Sequence, residues 1–302
     1  MFMEKIMKKL FIIIFSITLI STTLLATSSV PSSDILKMIN SGKEVVINNA
    51  IITGDIDCRK IIDKSRKGSF FGSGKTVVYH VRVPVKFINC TFRGDFLAYI
   101  YVERNRTLHT VKFHSNAIFQ NCNFKGLSAF KYVKFLKESD FRNSVFSREA
   151  LFKYTEFYSD INFSGSLFHR EANFKYTEFK YLSNFSKCKF SDIANFKYTE
   201  FNGKTDFKNC DFDDEANFKY TKFSRSVTFH SSIFKELVNF KYTKFNAIVY
   251  FTDTVFKDDI NFKYTEFRKE PDLSGTKFEG DVESKYAEVD GESFTKFLLR
   301  RK

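Results

Sequence analysis

The 302-residue sequence has no tryptophan, three prolines and 12 glycines, a composition that argues against a disordered chain. Neither a CxxC nor an HExxH motif occurs, so the usual signatures of a zinc site are missing. Phenylalanine, in contrast, occurs 40 times. A single globular core would not depend so heavily on one residue type, whereas a core built from repeats would.

The phenylalanines belong to a tandem repeat. Phe174 and Phe196 occupy the same position in two successive copies, so the distance between them in the sequence is the repeat period. Its clearest copy is ANFKYTEF at residues 172–179, and the first Phe of this octapeptide recurs at the same step throughout. These Phe residues are the predicted structural core: Phe130, Phe152, Phe174, Phe196, Phe218, Phe240 and Phe262. Between Phe119 and Phe267, phenylalanine recurs at intervals that alternate between five and six positions.

This spacing fits neither a helix nor one long strand, because it matches neither the helical period nor strict alternation. A β-solenoid in which each repeat forms one coil with four short sides does fit, since each side then points one Phe inward. Coils stack at about 4.8 Å, so each Phe lies over a Phe of the next coil. No coil buries its phenylalanines alone, and several coils are needed for a stable core.

The residue two positions before each Phe is small or β-branched, as at Ala172, Thr177, Ser183 and Cys188. One large and one small inward residue per side, in units such as ANFKY and SNFSK, resembles the pentapeptide-repeat family over about residues 90–278. The chain departs from the family pattern by one additional residue in every second unit. The resemblance implies a right-handed, quadrilateral β-helix with slightly distorted corners, so we predict an all-β β-solenoid with short capping helices.

We predict five parts along the chain. Residues 1–28 have a basic start and an uncharged run, which indicates a cleaved secretory signal or, alternatively, an uncleaved membrane anchor. Residues 29–44 are a capping helix with Ser33 as N-cap and Gly42 at its end. Residues 45–118 hold irregular first coils with an insertion at 93–110, residues 119–278 the regular solenoid, and residues 279–302 a C-terminal cap. The repeat domain is therefore expected outside the cytoplasm, secreted or at the cell surface.

Two local patterns imitate ligand sites. Residues 72–76 end like a phosphate-binding loop, but the first Gly is displaced and a strand is predicted after Lys75 and Thr76. We interpret residues 65–74 as a flexible loop. His109 and His114 lie in or beside the insertion and could meet, but a metal site would need another ligand. We predict no cofactor, no metal and no catalytic residue.

The cysteines share a column with serine and threonine. Cys188 lies three repeat periods after Cys122, and Cys210 lies one period after Cys188, so the three occupy equivalent positions in their coils. We interpret them as small inward filler. The alternative is a disulfide between Cys188 and Cys210, which the stacking distance and an exported location would allow.

The most informative surface pattern is a Lys and a Tyr that follow the first Phe of every copy. Neither position points inward, so we predict two outward ladders about 34 Å long, roughly seven coils at ~4.8 Å. The lysines are Lys131, Lys153, Lys175, Lys197, Lys219, Lys241 and Lys263. The tyrosines are Tyr132, Tyr154, Tyr176, Tyr198, Tyr220, Tyr242 and Tyr264.

Two neighbouring columns are expected to support these ladders. Asn residues from Asn173 to Asn261 recur just before the core Phe, and stacked amides can bond from coil to coil. Glutamates from Glu156 to Glu266 recur two columns beyond the tyrosines and are expected to offset part of the lysine charge.

The favoured hypothesis of function is an exported, non-enzymatic repeat scaffold for protein or cell-surface interaction. The alternative is a binder of anionic polymers, such as an acidic glycan, a cell-wall polymer or nucleic acid, through the Lys/Tyr ladder. Tandem duplication without selection for binding would also explain the ladder. A polysaccharide-acting β-helix enzyme is least favoured, because adjacent acids such as Asp213 and Asp214 point to opposite faces of a strand.

The expected partner is a protein or an anionic cell-surface polymer, with membrane contact only through the N-terminal segment. Some proteins of the family that the chain resembles mimic DNA, but a net charge of +13 and an exported location argue against that role here. Open coil ends would allow a homodimer, although the predicted caps argue against open stacking.

Overall fold

The alternating spacing of the phenylalanines folds each coil into four short sides. The structure, a computed structural model, describes residues 28–68 and 74–300. Within those residues the strands stack into four sheets, with parallel pairing throughout the regular coils. Phe157, for example, pairs with Phe179 of the next coil. The predicted all-β, quadrilateral β-solenoid is confirmed.

The first and second sheets form two adjacent sides of the solenoid, and their strands follow each other along the chain in every coil. The strands of the first sheet are Val45–Asn48, Val85–Ile88, Ala117–Gln120, Ser139–Asp140, Ile161–Asn162, Ser183–Asn184, Thr205–Asp206, Val227–Thr228 and Val249–Tyr250. Those of the second sheet are Ser28–Pro31, Ala50–Thr53, Thr91–Phe92, Asn123–Phe124, Val145–Phe146, Leu167–Phe168, Lys189–Phe190, Asp211–Phe212, Ile233–Phe234, Val255–Phe256 and Lys277–Phe278.

The other two sheets complete each coil. The strands of the third sheet are Ile56–Asp57, Phe96–Leu97, Ser128–Ala129, Ala150–Leu151, Ala172–Asn173, Ala194–Asn195, Ala216–Asn217, Val238–Asn239, Ile260–Asn261 and Val282–Glu283. Those of the fourth sheet are Lys64–Lys67, Lys75–Val81, Tyr99–Val102, Thr107–Phe113, Lys134–Phe135, Glu156–Phe157, Glu178–Phe179, Glu200–Phe201, Lys222–Phe223, Lys244–Phe245, Glu266–Phe267, Glu288–Val289 and Glu292–Ser293.

Phenylalanine rings fill the solenoid. The seven Phe residues of the predicted core column, from Phe130 to Phe262, expose 0% of their surface. Successive rings of this column stack about one coil apart, with centroids 5.0 Å apart for Phe174 and Phe196. Rings of different columns meet edge to face, as Phe174 and Phe185 do at 5.4 Å. Both arrangements are favourable for aromatic pairs, so each coil completes the core of its neighbours.

Two of the four corners are tight turns. They join the first sheet to the second and the third to the fourth, and their third residue has a positive φ, as at Gly165 (68°) and Tyr176 (58°). In the second of these turns, the Thr177 amide donates to the Phe174 carbonyl at 3.0 Å. The other two corners have no residue with positive φ in the regular coils. The additional residue of every second unit lies at these wider corners.

The small residue after each tight turn fastens its coil to the previous one. The Thr199 hydroxyl donates to the Phe174 carbonyl at 2.7 Å, and the Ser166 hydroxyl donates to the Phe141 carbonyl at the same distance. The thiols of Cys188 and Cys210 make the equivalent bond at 3.0 Å. The five cysteines are free and buried, so the Cys188–Cys210 disulfide is not formed. The thiols are hydrogen-bond donors as well as filler.

This hydrogen bond leads to a stability prediction. Cys188→Ala should destabilise the protein by about 1 kcal/mol more than Cys188→Ser, because only serine keeps a donor for the Phe163 carbonyl. Urea unfolding of both variants measures the difference. If Cys188 were only filler, alanine would be tolerated at least as well as serine, because it buries no hydroxyl.

The N-terminal end is closed by a strand and a helix. The predicted signal or anchor lies almost entirely in residues 1–27, outside the described residues. The predicted capping helix of residues 29–44 is shorter than expected, because Ser28–Pro31 is already a strand of the second sheet. Helix α1 spans Ser32–Asn40 and buries Ile35 and Leu36. It therefore covers the first coil, as expected of a cap.

Of the two residues predicted to bound α1, Gly42 is confirmed and Ser33 is not. Ser33 is not its N-cap: Pro31 holds that position, and no side chain caps the helix. Proline suits the position because it offers no amide hydrogen that would need a partner. Gly42 ends the helix with a φ of 69°. The Lys43 amide then donates to the Met38 carbonyl at 2.9 Å, as in a Schellman motif.

The first coils carry an extension of the fourth sheet, which we call the wing. Its strands are Lys64–Lys67, Lys75–Val81, Tyr99–Val102 and Thr107–Phe113. Lys64–Lys67 pairs antiparallel with Lys75–Val81, so this part of the predicted loop at 65–74 is a strand, while residues 69–73 lie outside the described residues. Within the predicted insertion, Phe96–Leu97 stays in the third sheet, and Tyr99–Val102 pairs antiparallel with Thr107–Phe113.

The solenoid runs beyond residue 278. Val282–Glu283 continues the third sheet and Glu288–Val289 the fourth, so the segment at 279–302 begins with a partial coil. Helix α2 then spans Phe294–Leu299. The Phe294 ring lies 5.2 Å from the rings of Phe262 and Phe267 and closes the core at this end.

Candidate functional site: the lysine and tyrosine ladder

The predicted Lys and Tyr columns meet at the tight corner between the third and fourth sheets. In one copy, the turn runs from Phe174 through Lys175 and Tyr176 to Thr177. Phe174 and Thr177 point inward and are buried, whereas Tyr176 is 37% exposed. The tight turn therefore presents its two central residues, Lys and Tyr, on the surface of every regular coil. We call the two columns together the ladder.

The tyrosines occupy an unusual backbone conformation. The seven predicted tyrosines, and Tyr286 in the last coil, have φ between 58° and 62°. This third turn position normally takes glycine or asparagine. The equivalent column at the opposite tight corner obeys that preference more closely, with Asn121, Asn143, Gly165 and Asn209. A bulky residue held at positive φ costs about 1–3 kcal/mol, so the turn itself does not call for tyrosine.

The tyrosine rings stack face to face along the solenoid. From Tyr132 to Tyr264, successive centroids are 4.7 Å apart with ring planes within 9° of parallel. Tyr286 extends the stack at 4.9 Å. Because each face is covered by the next ring, the column offers solvent mainly ring edges and phenol hydroxyls.

Each ladder lysine except Lys263 lies against its own tyrosine. The Nζ atoms of Lys153, Lys175, Lys197 and Lys219 are 5.1 to 5.2 Å from the ring centroids of the adjacent tyrosines. Because the ring faces are covered by the neighbouring tyrosines, each ammonium group lies at the ring edges and not over a face. Burial and the neighbouring lysines lower the pKa of Lys153 and Lys219. The column therefore holds like charges close together, and an anion would relieve their repulsion.

The prediction that the glutamates offset part of the charge of the ladder lysines is wrong. Glu156 pairs with Lys134 at 2.5 Å and Glu178 with Lys180 at 2.8 Å, both on the side of the fourth sheet. The tyrosine rings stand between these carboxylates and the lysine column. Among the described residues, Lys263 pairs with Glu283, but the other six ladder lysines have no carboxylate partner: Lys131, Lys153, Lys175, Lys197, Lys219 and Lys241.

The asparagines also have a different role from the one expected. The Asn195 side-chain oxygen accepts from the Lys197 amide at 3.3 Å, and its counterparts up to Asn261 do the same in their turns. They fix the tight turns that present the lysines. Amide-to-amide bonds between coils occur instead at the opposite corner, where Asn143 donates to Asn121 at 3.1 Å.

Neither end of the ladder was predicted from the sequence. Tyr286 and Lys285 continue it, but Ser284 replaces the core Phe, so the copy at 284–289 lost its main signal. Tyr99 lies 5.9 Å from the Tyr132 ring and accepts a hydrogen bond from Lys131 at 3.4 Å. Nothing in the repeat indicated this contact, because Tyr99 belongs to the wing.

The other candidate residues do not assemble into a site. His109 contacts Tyr79 and His114 contacts His80, each at 3.0 Å, so the two predicted histidines do not meet. No group of three or more His, Cys, Asp or Glu residues is placed to hold a metal in the described part of the chain. Lys75 begins a strand, not a helix. Among the residues described, no helix is long and apolar enough to cross a membrane.

The His80–His114 pair predicts a pH effect. Burial, with Arg82 and Lys112 nearby, lowers the pKa of both rings below the ordinary 6.5, despite the opposite influence of Asp63. Their contribution to stability is therefore present above about pH 6.5 and is lost as pH falls toward the folded-state pKa. Urea unfolding at about pH 7.5 and about pH 5.5 should show this loss. A His80→Gln/His114→Gln variant should lose less stability over the same range; an equal loss would contradict the assignment.

The repeats of this chain match the model of a known protein family. A family model for pentapeptide repeats (9 copies) matches residues 130–178, 185–233 and 240–283. The chain belongs to the pentapeptide-repeat family. The matched residues of this pentapeptide-repeat chain contain all seven predicted lysine and tyrosine pairs. No curated protein and no solved structure gives a significant match.

Proposed function

We propose that the chain is an exported, non-enzymatic repeat scaffold whose ladder contacts an extended anionic polymer at the cell surface. The basic start and uncharged run of residues 1–28 support export. A stacked solenoid is rigid along its axis and repeats one surface at a fixed interval. Such a surface suits a partner that is itself long and repetitive.

One observation carries this proposal: the ladder keeps tyrosine and unpaired lysine at turn positions where the fold requires neither residue. Both tight corners lie in the same coils and would be copied together by tandem duplication. Yet the corner opposite the ladder has diverged to Asn143, Gly165, Lys187, Asn209 and Ser231. Duplication alone does not explain why the strained tyrosine persists at one corner only, whereas a surface role for the Lys/Tyr pair does.

The ladder geometry favours some polymers over others. Nucleic-acid bases bind single-strand proteins by stacking on aromatic faces. The faces of the ladder tyrosines already stack on one another, at 4.7 Å between Tyr176 and Tyr198. The available groups are ammonium ions and phenol hydroxyls, which bind acid groups and sugar hydroxyls. An acidic polysaccharide therefore fits better than nucleic acid.

Binding to immobilised polygalacturonate across a salt series tests the proposal. Dextran, a neutral polysaccharide, controls for sugar binding without charge, and poly(dT) controls for charge without an acidic sugar. We expect salt-sensitive binding to polygalacturonate that exceeds binding to both controls. Equal binding to poly(dT) would indicate unspecific charge attraction, and no binding at all would turn the search to protein partners.

A further inference from the structure

The wing turns one end of the ladder into a groove. Lys75–Val81 and Thr107–Phe113 are each seven residues long, but only Lys112 and Phe113 pair with the two-residue strand Lys134–Phe135 of the next coil. The remaining residues of these two strands overhang the tyrosine corner. The wing is held there by Tyr99 against the Tyr132 ring and by a bond of 3.4 Å from the Thr110 hydroxyl to the Lys131 carbonyl.

The groove under this overhang has a volume of about 340 Å³. Its wall is formed by Val78, Leu108 and Thr110 of the wing, and its floor by the first rungs of the tyrosine ladder. Lys134, Glu156 and Glu178 also line it, but both carboxylates are already paired, Glu156 with Lys134 and Glu178 with Lys180. The groove is walled by the wing toward the N terminus and continues toward the C terminus along the side of the tyrosine column that faces the fourth sheet. It is a place where a polymer lying on the ladder would begin or end.

The chemistry of the groove is mixed. Val78 and Leu108 provide a half-buried apolar wall, while Tyr132 and Tyr154 provide phenol groups on the floor. Burial and the neighbouring tyrosines raise the pKa of Tyr132 to about 12, so its phenol stays protonated at neutral pH. Lys67 lies exposed at the edge and has no carboxylate partner among the described residues.

We infer that this groove binds the end of an acidic polysaccharide chain whose body lies along the ladder. A sugar ring presents an apolar C–H face to a wall such as Val78 and Leu108 and hydroxyls to the phenols. Its acid group can pair with Lys67. A membrane surface is too flat to enter a groove under an overhanging wall. The inference rests on the proposed function and adds a defined end to the polymer track.

Short and long ligands separate the groove from the ladder. The full chain is titrated with tetragalacturonate and with polygalacturonate, by calorimetry or by competition. Lys67→Glu alters the groove at an exposed residue whose replacement leaves the core untouched. Lys197→Glu/Lys219→Glu/Lys241→Glu alters the ladder far from the wing, and Lys257→Glu is a matched control at an exposed residue of another corner.

We expect tetragalacturonate affinity to fall at least about tenfold in Lys67→Glu. It should be unchanged in Lys257→Glu and nearly unchanged in the distal ladder variant, while polygalacturonate affinity falls most in the ladder variant. Tetragalacturonate binding that survives Lys67→Glu but is lost in the ladder variant would overturn the groove as an end site. So would a wild-type chain that binds the polymer but not the tetramer.

The two proposals fail in different ways. If wild-type protein does not bind polygalacturonate, the proposed function fails. Tetramer binding sensitive to Lys67→Glu would then still identify the groove as a sugar site. If the polymer binds and Lys67→Glu leaves tetramer affinity unchanged, only the groove is refuted.

Discussion

Replacing Phe196 by alanine is expected to destabilise the protein by about 3–5 kcal/mol, the cost of a large cavity in a packed core. Its ring is fully buried, with Phe174 and Phe218 stacked on its two faces at 5.0 Å. Phe185 and Phe207 also meet it edge to face, at 5.5 and 5.3 Å. With Phe190 and Phe201 at 6.0 and 6.1 Å, removal of the ring deprives six neighbours of contacts at once. Those neighbours cannot move into the space, because each is fixed in its own coil.

Phe278→Ala is the matched control for this change. Phe278 lies in the last strand of the second sheet, is partly exposed, and stacks on Phe256 at 5.3 Å. The same chemical change should therefore cost clearly less there. Urea or thermal unfolding of both variants measures the two losses. Equal losses would mean that the stacked column does not contribute beyond the burial of individual rings.

A second feature of the solenoid makes the position of the Phe important. Coils contact only their neighbours, so a weakened central coil separates two stable halves. Unfolding of Phe196→Ala is expected to be broader than that of the wild type, with a lower denaturant dependence. The end variant should keep a single sharp transition.

The regular coils could be predicted because their signal is purely periodic. The alternating intervals between inward Phe residues determine which residues form each side of the coil. The parallel register that pairs Phe157 with Phe179 follows from that division. The wing could not be predicted in this way. Its strands at Lys75–Val81 and Thr107–Phe113 are longer than a coil side and pair antiparallel with hairpin neighbours, so they carry no repeat period.

The surface of the candidate site was only partly predictable. The outward Lys and Tyr columns follow from position in the repeat, but the conformation of Tyr176 does not, because tyrosine rarely adopts a positive φ. The pairing of Glu178 with Lys180 depends on the side of the tyrosine rings on which each charge lies. The spacing of the repeat does not determine that side. The donor role of Cys188 had a signal in the sequence: apart from Cys122 and Cys210, its column holds Ser and Thr, which share the ability to donate.

Changing Lys175, Lys197 and Lys219 to glutamate is expected to lower affinity for polygalacturonate by about 100-fold or more. The three Nζ atoms have no carboxylate partner among the residues described, so they are available to acid groups of the polymer. If each contributes one contact, the dependence of log affinity on log salt should decrease by about 2–3. Binding at several salt concentrations measures both quantities, and circular dichroism checks the fold.

The decisive control carries the same charge change elsewhere. Lys125→Glu/Lys208→Glu/Lys257→Glu alters three exposed lysines away from the ladder. Each Lys→Glu change removes two positive units, so both triple variants fall from +13 by six units to +7. A general attraction between a basic protein and an acidic polymer would weaken equally in both. A loss confined to the ladder variant would mean that the polymer needs lysines in register beside the tyrosine stack, which is the arrangement that the strained turns maintain.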